Sequence, residues 1–279
     1  LNFRMWSQFK NTPDHAAFTS SPMQVQTLAM PLTLAMTVNI SFIVGALFVP
    51  GLWSVVEFLF PMAMVAFVAI GVWALRLYGR LLSQAAGGLD IGSAASFAQV
   101  LPAFALAMVA VGLAAPAALS HTPVLVVLSL VLSTFFALAA IAIAVVKTVM
   151  GLSKMFEKGV DEAALPTLWI WVPILTVLAI VFMRQEHGIS HTLELAEPSL
   201  WWMPLLWVVS AQILVLLLGS VAMRRHGYLG RVWRGEVDAP SVFALICPGV
   251  AMSVSWQFFI NKGLVGAGLL AKFGVSYWV

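Results

Sequence analysis

Between Val25 and Phe48 no side chain is charged at neutral pH, and five further stretches share that property: 97–119, 124–146, 165–183, 200–223 and 240–260. A sixth, Ser54 to Leu75, carries only Glu57. A helix needs about 20 apolar residues to cross about 30 Å of hydrocarbon. Lipid offers no hydrogen bonds, so such runs must satisfy their backbone internally, as helices do. An all-α integral membrane fold follows. The composition agrees, with 62% hydrophobic and 9% charged residues, against about 25% charged in soluble domains. An eighth run begins near Leu264 and reaches Val279 after a length too short to cross, so it reads as an incomplete span.

The loops set an orientation. Arg4, Lys10, Arg76, Arg80, Lys147, Lys154, Lys158, Arg224, Arg225, Arg231 and Arg234 lie at the N-terminus and at the ends of spans two, four and six. The other end has Arg184, Lys262 and the acidic residues Glu186, Glu194 and Glu197. By the positive-inside rule the N-terminus is cytoplasmic in the cell inner (plasma) membrane. The net charge of +3 thus reports loop placement and gives no reason to expect nucleic-acid binding. Residues 1–21 have no apolar core of the signal-peptide kind and read as a cytoplasmic segment, with 22–279 a single transmembrane domain.

A repeat is visible. Pro31, Pro102, Pro173 and Pro248 each sit a short way into an odd-numbered span, at separations of 71, 71 and 75 residues. Their contexts are AMPLTLAMTV, VLPAFALAMV, WVPILTVLAI and ICPGVAMSVS. The unit is a helical hairpin, at about 22–84, 97–158, 165–234 and, incomplete, 239–279. Proline removes a backbone donor and clashes with the carbonyl four residues earlier, which would free Thr27, Ala98, Trp169 and Ala244. Four such helices in register are expected to form a kinked inner ring around a central pore, with the even spans outside. Packing kinks in a closed bundle are the alternative.

In these features, and in ALPTLWIWVP around Pro166 and Pro173 and the Cys247-Pro248 pair, the chain resembles the tellurite-resistance/dicarboxylate transporter family. That family includes the TehA proteins and the slow-type guard-cell anion channels. The resemblance implies five hairpins, hence ten spans, a central pore and a homotrimer. Cys247 before the inner-helix proline also resembles the TsoY-like branch, which has cysteine- and selenocysteine-containing members.

Polar groups on the odd spans are few. Thr33, Thr37, Thr176 and Ser253 are candidate pore-lining residues, though hydroxyls in membrane helices also bond to nearby carbonyls. A lone Cys247 excludes a disulfide framework; it is either a reactive thiol or inert packing. His187 and His191 have a metal-sharing spacing beside Glu186, but Gly188 interrupts the helix, and we expect no metal. No histidine pair suits haem, and we expect no cofactor and no enzymatic activity. The tryptophans, Trp53, Trp201 and Trp202 among them, read as interfacial anchors. The expected function is a channel or channel-like transporter for small anions. The alternative is a membrane-embedded thiol or redox protein, or a complex subunit, using Cys247. Pro248-Gly249 is the expected bending point, with Ser253 near the passage.

Overall fold

The computed structural model describes residues 7–13, 15, 18, 21–87, 96–160, 162–237 and 240–274. Its long helices are α1 (Ala29–Phe48), α2 (Leu52–Ala86), α3 (Leu101–Leu113), α4 (Ala115–Leu119), α5 (Pro123–Lys158), α6 (Trp171–His187), α7 (Trp202–Arg225), α8 (Tyr228–Trp233) and α9 (Ile246–Phe258). Among the described residues seven helical segments are long and apolar enough to cross a bilayer: Gln24–Phe48, Leu52–Ala86, Phe97–Leu119, Pro123–Glu157, Ala164–Thr192, Trp202–Arg225 and Val242–Val265. That is the pattern of a multi-pass membrane protein. Among the described residues no eighth span forms. The seventh continues as a π-helix to Val265, and residues 266–274 are turns and bends, broken by Gly268 in the left-handed region. The loop at 88–95 and Arg4 lie outside the described residues.

The four prolines share one local structure. Each odd span starts as a 3₁₀ helix (Pro22–Leu28, Phe97–Val100, Glu162–Trp169 and Pro240–Leu245), and an α-helix takes over at or just after its end. Pro31, Pro173 and Pro248 are the third residues of their α-helices and Pro102 is the second. A first-turn proline sacrifices no bond that the α-helix needs. The residue four before it belongs to the 3₁₀ turn, where carbonyls pair three residues on. Ala98, expected to be freed, accepts the Leu101 amide. The prolines therefore mark junctions between two helix types, at the start of each α-helix.

Two ends can be told apart from contacts. At the turn end, Glu57 accepts the Ser120 hydroxyl at 2.8 Å and the His121 amide at 2.6 Å. There Glu186 accepts the Ser199 amide at 2.7 Å and the Trp201 indole at 3.2 Å. Glu57, the one acid in the second apolar stretch, thus caps a neighbouring turn. The first hairpin turns at Gly51, whose φ of 75° suits glycine. At the opposite, basic end, Arg231 pairs with Glu162, and Ser96 meets Thr167 at 3.4 Å.

The odd spans touch in order: α1 on α3, α3 on α6, and α6 on α9, with α2 and α5 packed outside α3 and α7 outside α6 and α9. The arc does not close, because no extensive contact joins α1 to α9. Burial follows the same geometry. The third span is 83% buried and the fifth 61%, but the first and seventh only 17%. The expected inner helices thus divide into a buried pair and two open flanks. Outward-facing Phe58, Phe135, Phe156 and Leu218 present an apolar surface suited to lipid.

Candidate functional site

The third span is broken near its turn end. Pro116 lacks an amide for the Gly112 carbonyl, and the helix is interrupted at Ala114, between Leu113 and Ala115. Ser129 of α5 splices the gap, donating to the Leu113 carbonyl at 2.6 Å and accepting the Ala117 amide at 2.9 Å. Beside this break the Arg184 guanidinium donates to the Val111 carbonyl at 2.6 Å. The next residue, Gln185, is held by Ser133 at 2.8 Å and Thr134 at 3.0 Å on α5.

Arg184 had been read from its sequence as the first residue of an outer loop. The structure instead continues the helix through His187 and on as a π-helix, Gly188–Thr192. That puts Arg184 inside the membrane-spanning segment. Its neighbour across the cavity, Asn39, lies nine residues before the end of α1, about 13 Å from the turn end at 1.5 Å per residue. Asn39 donates to the Ala35 carbonyl at 2.9 Å and the Met108 carbonyl at 3.4 Å.

Arg184 and Asn39 share a cavity of about 170 Å³ between the first three spans, walled by Phe42, Leu52, Trp53, Phe60 and Phe67. Arginine offers five N–H donors and stays charged. Val111 takes one, and among the described residues no carboxylate lies within ion-pair distance of Arg184. Two acids at this end, Glu57 and Glu186, are committed to backbone and side-chain donors. A cation within a membrane-spanning segment and without a carboxylate partner is costly and marks a functional position by default.

The candidate pore-lining residues separate. Thr33 and Thr37 are exposed on α1, their hydroxyls bonded to the Ala29 and Thr33 carbonyls at 2.7 and 2.8 Å. Ser253 is likewise exposed on α9 and donates to Gly249 at 3.1 Å. Thr176, by contrast, is only 5% exposed. It meets Ser255 at 2.8 Å, and Gln212 of α7 donates to both, at 2.7 and 2.9 Å. These three form a knot between spans five, six and seven, and Thr176 is spent on packing. Among the described residues the Gln212 Oε1 has no hydrogen-bond partner.

The remaining candidates are scattered. Cys247 is half-buried in the first turn of α9. The His187 and His191 rings lie 4.2 Å apart, but among the described residues no three His, Cys, Asp or Glu side chains converge on one point. Trp169 and Trp171, expected at the interface, donate to Leu216 and Thr148 and join helices. Lys147 is 8% exposed and lines a small hollow with Tyr78 and Gln99 toward the basic end. Neither Arg184 nor the Ser129 splice was singled out in the sequence. The available signal was Pro116, which predicts a break that needs an outside donor. No family model, no curated protein and no solved structure matches the chain.

Proposed function

We propose that this protein is a channel or channel-like transporter for small anions, and that Arg184 supplies the fixed positive charge of the pathway. The observation that carries the reading is a guanidinium in the membrane-spanning region, bordering a cavity and opposed by no carboxylate among the described residues. The inner hydroxyls bring no charge, and carbonyl dipole ends repel anions. A single guanidinium attracts an anion and, with no other charged side chain on the cavity walls, leaves it free to depart, as conduction requires. The family resemblance adds a ring of proline helices repeated as hairpins and a homotrimer. The basic loops support an inner-membrane location with the basic end in the cytoplasm.

Chloride efflux from liposomes holding the full-length protein tests the reading. The parent should conduct, Arg184→Gln should lose at least tenfold, Arg184→Lys should keep part of the flux, and Cys247→Ala should match the parent. A conducting parent unaffected by Arg184→Gln removes Arg184 from the pathway. A parent that passes no anion overturns the function, and loss of a thiol-dependent activity in Cys247→Ala alone would favour the redox alternative.

A further inference from the structure

The walls of the Arg184 cavity say more about the anion than its charge does. Besides Arg184, only Asn39 contributes a side-chain amide, and the remaining lining is aromatic, aliphatic or small. A small hydrated ion entering this space would exchange its water shell for one guanidinium, since both Asn39 N–H groups are given to the Ala35 and Met108 carbonyls and the walls, the Trp53 indole aside, are apolar. An anion that carries its own hydrocarbon would instead bury that hydrocarbon against Phe42, Leu52, Trp53 and Phe60. Size sets an upper limit. An apolar cavity of about 150 Å³ takes a benzene-sized body, so about 170 Å³ accommodates a tail of about six carbons. Ile43 and Trp53, both lining residues, are more than half exposed and lie where the cavity opens.

We infer that the site binds a short amphiphilic monocarboxylate, its carboxylate on Arg184 and its tail in the aromatic chamber. The inference rests on the anion reading and names the class of anion. A carboxylate matches the planar fork of a guanidinium. The Val111 carbonyl holds the guanidinium from one side and so orients the fork, while the Glu57 and Glu186 carboxylates are withheld by their own donors.

Equilibrium dialysis of labelled acetate, butyrate, hexanoate and octanoate against the full-length protein in lipid nanodiscs, corrected with empty discs, measures this directly. Saturable one-to-one binding should tighten about fourfold per methylene up to hexanoate and then level off. Arg184→Gln should weaken hexanoate at least tenfold, and Ala46→Leu, which fills the chamber, should weaken hexanoate more than acetate. Hexanol binding as tightly as hexanoate would overturn the role of Arg184. Affinity still climbing fourfold per methylene through octanoate would overturn the closed chamber and make the site a lipid groove. If hexanoate fails to bind while chloride efflux remains Arg184-dependent, the amphiphile inference falls and the anion pathway stands; if both fail, both fall.

Discussion

The Ser129 hydroxyl holds the Leu113 carbonyl at 2.6 Å across two spans, sixteen residues apart in the chain. Its oxygen also receives the Ala117 amide, so one side chain bridges the gap that Pro116 opens. Ser129 is fully buried, so Ser129→Ala strands a carbonyl and an amide with no water nearby. Each unmet group costs about 1–3 kcal/mol, and the melting temperature in mild detergent should fall accordingly. An unchanged melting temperature would show that the break needs no splice.

The knot around Gln212 predicts an asymmetry. Thr176 and Ser255 remain bonded to each other, and Thr176 also to the Val172 and Ala251 carbonyls, without Gln212. Gln212→Leu also removes an unpartnered Oε1. It should therefore cost little, whereas Thr176→Val deprives both partners at once. Interhelical bonds of this kind average about 0.6 kcal/mol with a maximum of about 1.7, so a Thr176–Ser255 double-mutant cycle should fall in that range. A coupling near zero would reduce the knot to incidental contact.

Two glycines should respond in opposite ways to a methyl group. A Cβ on Gly112 would stand 2.2 Å from the Phe67 ring, and one on Gly249 would meet nothing within 4 Å. Gly112→Ala overpacks the face of the Arg184 cavity and should destabilise by about 1–3 kcal/mol. Gly249→Ala should stabilise α9 by up to about 1 kcal/mol. The paired change Pro248→Ala with Gly249→Ala tests bending of the seventh span: altered chloride flux is expected, and unchanged flux in a well-folded protein makes this helix scaffold.

Sidedness has its own measurement. In a Cys247→Ala background, Leu195→Cys at the exposed turn end should react with an impermeant maleimide added outside cells. Gly235→Cys at the basic end should react only after permeabilisation. The reverse pattern inverts the protein in its membrane.

Much of the architecture could be read from local sequence. Spans announce themselves by missing charge, and Pro31, Pro102, Pro173 and Pro248 by spacing, because both signals are carried by adjacent residues. The positions of Arg184 and Thr176 were not legible in that way. A charge after an apolar run normally ends it, and only the Val111 carbonyl, 73 residues away, and the break beside Ala115 show why this one stays inside. Thr176 looks the same as Thr33 along the chain. Contacts 36 and 79 residues distant, to Gln212 and Ser255, turn it into packing. The proline spacing was visible, but the 3₁₀ form of each lead-in was not, since that spacing reports the junction and says nothing of the helix before it.

Those lead-ins make each odd span longer than an unbroken α-helix of the same residues. A 3₁₀ helix climbs about 2.0 Å per residue against 1.5 Å in an α-helix. Rewinding the seven residues Pro22–Leu28 into α form would draw that span's basic end in by about 3.5 Å and turn it, since each residue then advances about 100° instead of 120°. The 3₁₀ lead-ins thus carry the basic ends of the odd spans further out than α-helices of the same residues would reach, and the loops at that end with them.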